Sequence, residues 1–178
     1  VGTGCSGTDL IMSVLSSLEQ FWAKAYATTV RFRHLFSCDA KPSAQDMITN
    51  MWQPEHLFTD INSLCDPNGC YCCIHDDACV VRRCDVWVCG FECDNYSSLN
   101  LWRASGPGSI SAMRCSRGSS AAGCMNYLKC YRPSIFILEN VKQIAVRKDG
   151  TSDLDHLRSV VNEFGYMLCD TVVGAQDY

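Results

Sequence analysis

The sequence contains no long apolar run and no excess of basic residues. Nowhere in its 178 residues do about 18 apolar residues follow one another, so a membrane-spanning helix is not expected. Lysine and arginine number 15 against 19 acidic residues, a net charge of −4, which argues against a broad phosphate-binding surface. The chain opens at VGTGCSG without a leader-like apolar segment, so we expect no secretory signal in it.

Proline is also scarce, with 5 residues, and the hydrophobic content of 47% is that of a globular chain and not of a disordered one. A chain of this length buries roughly 70% of its unfolded surface, which is enough for one core. We therefore expect a single folded unit over residues 1–178.

Cysteine, in contrast, is abundant, with 14 residues. An even number of cysteines would suggest disulfides in a secreted protein. Here they cluster unevenly, and several fall in apolar strand or helix contexts, where a free thiol behaves as a small core residue. These are Cys38, Cys89, Cys130 and Cys169. The pattern favours reduced cysteines and an intracellular protein.

Apolar strands and amphipathic helices alternate along the chain. The strands are predicted at residues 32–38, 57–58, 86–89, 135–138 and 166–173. The helices are predicted from a cap at Thr8 or Asp9 to about Tyr26, over 42–52, around 125–131 and over 153–165. The first helix would bury Leu10, Ile11, Leu15, Leu18, Phe21, Trp22 and Ala25. Alternation of this kind predicts an α/β fold with a doubly wound, mostly parallel sheet that binds its ligand at the carboxyl ends of the strands.

Two strand ends carry groups suited to covalent chemistry. The strand 86–89 opens at Gly90 into a polar loop that presents Cys93, a candidate nucleophile. The strand 135–138 delivers Glu139 and Asn140 at its end. If the two strands are parallel neighbours, a thiol and a carboxyl group meet at one edge of the sheet.

Other strand ends suggest a nucleoside-like pocket. The glycine-rich stretch GTGCSG allows close approach of a ligand to the backbone, although it also fits an ordinary strand-to-helix turn. Asp39 can bind ribose hydroxyl groups or cap the next helix. Asp60, followed by Ile61, is suited to an amino group on a ligand.

A cysteine-rich insert at about residues 62–84 has three open interpretations. Its thiols and imidazole could bind a structural zinc, form disulfides or remain free, because the spacing does not repeat a C-x-x-C pair. The candidate zinc ligands are Cys70, Cys72, Cys73, His75 and Cys79. Further along, residues 102–123 are predicted to form a polar surface segment, whose arginines either face phosphates or are simply solvated. They are Arg103, Arg114 and Arg117.

Together these motifs resemble the cytosine-C5 DNA methyltransferase family over nearly the whole chain. The stretch GTGCSG is similar to the family's turn for S-adenosylmethionine, and GFECDNYSSLN to its catalytic-cysteine loop. Glu139, Asn140 and Val141 match its Glu-Asn-Val motif, and GAQDY resembles the start of the next motif. The cofactor-binding residues that the resemblance implies are Thr3, Gly4, Cys5, Gly7, Asp39, Asp60 and Ile61.

The resemblance implies a nuclear enzyme that methylates a flipped cytosine in DNA through an adduct on Cys93, with Glu139 and Asn140 in the catalytic site. Glu92 stands where the family usually has proline, a difference that bears on the loop and on the thiolate. Missing from these residues are the family's arginine motif, its target-recognition region and its C-terminal helix, so this piece alone is expected to be inactive. Two alternatives are a cytosine-C5 methyltransferase acting on RNA and a catalytically silent binding module held by zinc.

Overall fold

A computed structural model describes residues 1–92, 120–147 and 150–174 of the chain. In this part of the chain the strands are β1 (Gly2–Gly4), β2 (Phe36–Cys38), β3 (His56–Phe58), β4 (Cys70–Cys72), β5 (Asp77–Cys79), β6 (Val86–Cys89) and β7 (Ile135–Leu138). The helices are α1 (Ile11–Tyr26), α2 (Pro42–Met51), α3 (Ser120–Tyr131) and α4 (Asp153–Glu163). Short 3₁₀ turns cover Ile61–Ser63 and Lys142–Ala145.

The described strands form one sheet in the order β5-β4-β3-β2-β1-β6-β7. Strands β3, β2, β1, β6 and β7 run parallel, whereas β4 is antiparallel to β3 and β5 is antiparallel to β4. The predicted mostly parallel α/β sheet is therefore confirmed. The cysteine-rich insert adds the antiparallel hairpin β4–β5, which the sequence did not predict.

Aromatic residues from several elements make the centre of the core. The indole of Trp87 on β6 stacks on Tyr127 of α3 with 4.2 Å between ring centroids, and Phe36 lies 5.8 Å from the indole. All three are nearly inaccessible to solvent, and burial of a large apolar side chain contributes roughly 1.5–3 kcal/mol. Tyr127 also donates its hydroxyl to the carbonyl of Arg82 at 2.9 Å, which satisfies its buried polar end.

The first glycines form a strand instead of a turn. Gly2–Gly4 is the buried central strand β1, and the turn begins only at Cys5, whose φ is 50°. A Cβ on Gly2 would lie 2.4 Å from the ring of Phe36, and one on Gly4 would lie 2.6 Å from Trp87. The core aromatics therefore require glycine at both positions.

The predicted start and buried face of the first helix are partly wrong. The residue at the start of α1 is Leu10, which makes no side-chain cap. Asp9 is buried instead, accepts a hydrogen bond from Ser37 and lies 3.4 Å from His34 Nε2. Only Met12 and Leu15 are buried on α1, whereas Leu10 and Phe21 are more than half exposed.

Other boundaries also differ from the prediction. No strand is assigned within the described residues 166–174, although one was predicted at 166–173. Ser120, predicted as part of a surface segment, is buried in the first turn of α3, while residues 102–119 of that segment lie outside the described residues. Cys130 and Cys169 are exposed, not buried. No helix in the described ranges combines the length and apolarity needed to cross a bilayer.

Candidate active site

The carboxyl ends of the parallel strands surround a cavity of about 420 Å³. Residues after β1, β2 and β3 form one wall, and residues after β6 and β7 form the opposite wall, together with the first residue of α3. The lining includes Cys5, Gly7, Asp39, Asp60, Ile61, Gly90, Phe91, Glu92, Ser120, Glu139, Asn140 and Val141. Five of the seven residues predicted to bind a cofactor thus share one cavity with the predicted catalytic carboxyl group of Glu139.

Asp39, directly after β2, joins the turn after β1 to the start of α2. Its Oδ2 accepts a hydrogen bond from the backbone N–H of Gly7 at 2.8 Å, and its Oδ1 accepts one from Lys41 at 2.9 Å. Each carboxylate oxygen has a second lone pair for a ligand. A Cβ on Gly7 would meet no atom within 4 Å, so the backbone at this point is open to close approach.

Asp60, directly after β3, caps the short 3₁₀ turn Ile61–Ser63. It accepts hydrogen bonds from the N–H of Asn62 at 2.9 Å and from the hydroxyl of Ser63 at 2.7 Å. Burial opposes ionisation, but the hydrogen bonds outweigh it and hold the pKa of Asp60 below its ordinary value. The carboxylate is therefore charged at neutral pH, next to the apolar side chain of Ile61.

A row of thiols lies beneath the cavity. Cys5 lines the cavity, and the side chain of Cys89, at the end of β6, hydrogen-bonds to it and to Cys124. The hydrogen bond from Cys89 lowers the pKa of Cys5, and burial opposes this effect without cancelling it. Burial raises the pKa of Cys89 well above that of an ordinary thiol. Cys5 is thus the more acidic of the two and the one that faces the cavity.

The pairing of β6 with β7 places Glu139 opposite the start of the cysteine loop. The two strands are parallel neighbours in the register Cys89↔Leu138, and the N–H of Glu139 donates to the carbonyl of Cys89 at 3.0 Å. A Cβ on Gly90 would lie 3.2 Å from Glu139 Oε2. The parallel pairing on which the predicted meeting of thiol and carboxyl depends is confirmed; Cys93 lies outside the described residues.

Two hydrogen bonds hold the residues that lead into Cys93. Asn140 donates its Nδ2 to the carbonyl of Phe91 at 3.0 Å, while its Oδ1 accepts from the N–H of Val141 at 2.9 Å. The N–H of Glu92 donates to Ser120 Oγ at 2.9 Å. Proline has no N–H, so this bond is available only because Glu92 replaces it.

Thr3 and Gly4, both predicted to bind a cofactor, stand back from the cavity. Thr3 is buried and shares a hydrogen bond of 2.8 Å with the hydroxyl of Ser6, and Gly4 packs on Trp87. In these positions, Thr3 and Gly4 support the turn that follows β1. Sequence reasoning missed Ser120, because a serine in a stretch rich in Ser, Gly and Ala gives no distinguishing signal.

A second cluster, of His56, Cys72, His75 and Cys79, has the composition of a metal site. One ligand atom from each residue lies within 4.8 Å of the others. The sequence prediction included three of these residues but not His56, which belongs to β3. It also included two thiols that the structure directs elsewhere: Cys70 Sγ donates to the carbonyl of Asp60, and Cys73 Sγ to Gln45 Oε1.

A mostly parallel α/β sheet with acidic residues after β2 and β3, at the edge of a cavity, is the arrangement of nucleotide-binding α/β proteins, and it is consistent with a methyltransferase fold. The family model described as C-5 cytosine-specific DNA methylase matches residues 11–178. The chain belongs to this family, so the resemblance found in its motifs is confirmed.

A curated relative is the DNA (cytosine-5-)-methyltransferase DMT5 of Cryptococcus neoformans var. grubii. It is 31% identical over 143 residues, which cover 79% of this chain. The matched region is 6% of the relative's length, so the relative is many times longer than the chain described above.

Proposed function

We propose that the chain is the cofactor-binding and nucleophile-bearing part of an enzyme that transfers a methyl group from S-adenosylmethionine to C5 of cytosine in DNA. The observation that carries the proposal is the cavity shared by Asp39 and Asp60 on one side and Glu139 on the other. Family membership supports the same reaction. Since the proposed substrate is DNA, we expect the protein to be intracellular, and nuclear in a cell that has a nucleus.

The residues around the cavity fit S-adenosylmethionine, which supplies an activated methyl group when bound. The volume of about 420 Å³ lies within the usual range for small-molecule sites. Asp39 is suited to the ribose hydroxyl groups and Asp60 to the amino group of adenine, beside the apolar surface of Ile61. Gly7 and Cys5 contribute the open backbone of the turn, which Thr3 and Gly4 support from behind.

Glu139, on the opposite wall, and Cys93, which lies outside the described residues, would activate the cytosine. The Cys93 thiolate would add to C6, forming a C–S bond and moving a ring electron pair to C5. C5 would then take the methyl group as the bond between that group and the cofactor's sulfur breaks, so that the sulfur leaves as a neutral thioether. Glu139 holds the N3 edge and the exocyclic amine of the base, so that negative charge does not accumulate in the ring. Loss of the C5 proton to solvent then restores the ring and expels the thiolate.

The hydrogen bonds of Asn140 and Ser120 give these residues a positioning role. They fix Phe91 and Glu92, the last described residues before Cys93. A base that is stacked inside a duplex cannot enter the cavity and contact groups on both of its walls. The cytosine must therefore leave the stack, at a cost of a few kcal/mol.

The test is trapping on DNA that contains 5-fluorocytosine, using the full-length protein and S-adenosylmethionine. Fluorine at C5 cannot leave as a proton does, so the adduct persists. We expect a covalent complex with the wild type, none with Cys93→Ser, and a complex formed at an ordinary rate with Cys169→Ser, which changes an exposed thiol. A complex that survives Cys93→Ser would contradict the role assigned to Cys93.

Two further measurements separate the alternatives. Calorimetry of S-adenosylmethionine binding to the wild-type protein distinguishes an enzyme from a silent binding module, which would bind no cofactor. Trapping on a single-stranded RNA of the same sequence identifies an enzyme that acts on RNA, because the adduct would then form on RNA and not on the DNA duplex.

A further inference from the structure

The cluster of His56, Cys72, His75 and Cys79 lies apart from the proposed chemistry and has its own geometry. His56 begins β3, Cys72 ends β4, His75 lies in the hairpin turn and Cys79 ends β5. Side chains from three neighbouring strands and one turn therefore meet at one point. None of the four is among the residues that line the cavity.

We propose that these four residues bind one zinc ion that fastens the hairpin β4–β5 to β3. This inference is independent of the proposed methyl transfer. The proposed ligand set also differs from the set predicted from the sequence, because it includes His56 and excludes Cys70 and Cys73.

Three of the six distances between ligand atoms are close to the edges of a tetrahedral site, and all six are within 4.8 Å. Zinc–sulfur bonds of about 2.3 Å and zinc–nitrogen bonds of about 2.0–2.1 Å give sulfur–nitrogen edges of roughly 3.5 Å. Cys72 Sγ lies 3.3 Å from His75 Nδ1 and 3.8 Å from His56 Nδ1. Cys79 Sγ lies 3.5 Å from His75 Nδ1.

The surroundings of Cys72 also suit a metal-bound thiolate. Its side chain is completely buried in the core, yet its sulfur lies within hydrogen-bonding distance of two imidazoles. The N–H of Leu57 lies 3.4 Å from the sulfur as a donor, which is a common outer contact of a metal-bound thiolate. Two thiolates balance the charge of one divalent zinc, and thiolate with imidazole favours zinc over magnesium or calcium.

The turn that carries His75 is held in place by other contacts. The hydroxyl of Tyr71 donates to Asp76 at 2.6 Å, and Asp76 has a φ of 52°. The N–H of Cys73 donates to the carbonyl of Leu57 at 2.8 Å, which fixes the hairpin beside β3. These contacts hold the turn independently of the four ligand side chains, and a turn held in place lowers the cost of binding.

The test measures zinc in the full-length protein purified under reducing conditions without chelators. Cys79→Ser and His75→Ala change ligands in less buried positions, where the fold tolerates substitution. Cys73→Ser is the matched control, since it removes the thiol next to Cys72 without touching the cluster. We expect the control to keep the wild-type zinc content and each ligand variant to contain about one zinc fewer per chain.

A second measurement adds metal to stripped protein. Cobalt added to the wild type should give the visible spectrum of tetrahedral thiolate and imidazole ligands, and Cys79→Ser should weaken the sulfur-to-cobalt absorption, since only Cys72 remains as a thiolate ligand. Zinc at a hundred times its Kd should raise Tm by about 5–10 °C in the wild type and in Cys73→Ser, but not in Cys79→Ser.

Four results would overturn the proposal. Two concern zinc content: equal zinc in the wild type and both ligand variants, or loss of zinc in Cys73→Ser. The other two concern the wild type: uptake of neither zinc nor cobalt, or a Cys72–Cys79 disulfide found by peptide mapping of the protein purified under reducing conditions.

Discussion

Gly90 and Glu139 face each other at the ends of two neighbouring parallel strands, and a Cβ on Gly90 would lie 3.2 Å from Glu139 Oε2. This separation is shorter than ordinary van der Waals contact. Glycine therefore leaves the space in which the carboxyl group extends over the cavity. Gly90 also begins the segment that leads to Cys93.

The first prediction concerns this contact. Gly90→Ala should lower the rate of adduct formation on 5-fluorocytosine DNA by about 10–100-fold, because a small displacement of a catalytic group has an effect of this size. Tm and the Kd for S-adenosylmethionine should change little, since the added methyl group meets only the end of one side chain. An unchanged adduct rate would show that Glu139 does not need its present position.

The second prediction concerns Asn140. Asn140→Asp keeps the acceptor for the N–H of Val141 but loses the donor to the Phe91 carbonyl, whereas Asn140→Ala loses both. If the bond to Phe91 positions the cysteine loop, both variants should form the adduct more slowly by a similar factor. The free energy of unfolding should fall by about 1–3 kcal/mol in Asn140→Ala, as measured in urea. A fully active Asn140→Asp would argue against the positioning role.

The third prediction is a double-mutant cycle on Glu92 and Ser120. Ser120→Ala removes the acceptor of the Glu92 N–H, and Glu92→Pro removes the donor. The two changes should be non-additive in the free energy of unfolding, with a coupling of about 0.5–1.5 kcal/mol. Additive effects would mean that the hydrogen bond contributes nothing to stability.

The fourth prediction concerns cofactor affinity. Asp39→Ala removes the carboxylate that accepts from Gly7 and Lys41 and that we assign to the ribose. The Kd for S-adenosylmethionine should rise about 10–100-fold, which corresponds to the loss of one or two hydrogen bonds to a charged group. Asp46→Ala, an exposed position on α2, is the control and should bind normally in calorimetry.

The fifth prediction concerns the pH dependence of Cys5. The hydrogen bond from Cys89 lowers the pKa of Cys5, so its thiolate is populated at lower pH than in an ordinary thiol. The midpoint of its alkylation by iodoacetamide should accordingly lie below the usual thiol range, and should rise in Cys89→Ala. Peptide mass spectrometry measures the rate, with exposed Cys169 as an internal reference.

Cofactor occupancy gives a control for the same experiment. Because Cys5 lines the cavity, S-adenosylmethionine should slow alkylation of Cys5 and leave Cys169 unaffected. Equal alkylation with and without cofactor would separate Cys5 from the proposed site.

Runs of apolar residues and the signals for helix starts predicted the parallel part of the fold well. The strand Val86–Cys89 has the predicted bounds, and α2 begins at Pro42 as its fixed φ suggests. The meeting of strand ends at one cavity follows from the rule for parallel sheets. The strand predictions succeeded because each rests on a run of similar residues, and the start of α2 succeeded because proline restricts its own backbone.

Short elements and individual partners were not predictable in this way. Strands β4 and β5 have three residues each and no clear alternation, so their cysteines were assigned to an insert in which zinc binding, disulfides and free thiols all stayed open. His56 joins the cluster only through strand pairing, which the spacing along the chain cannot reveal. The exposed face of α1 was assigned to the core because periodicity shows a helix to be amphipathic but not how wide its contact is.

The reversed direction of β4 has a chemical consequence if the cavity holds a reactive sulfonium, as we propose. It places the hairpin turn near His56, at the start of β3, whereas Asp60 lies beyond the other end of that strand. From His56 to Asp60 the chain advances by four residues, so in extended conformation their backbones lie roughly 13 Å apart. Sulfur nucleophiles accept methyl groups readily, and this separation protects the thiols beside His56 from alkylation by the electrophile that the cavity is proposed to hold.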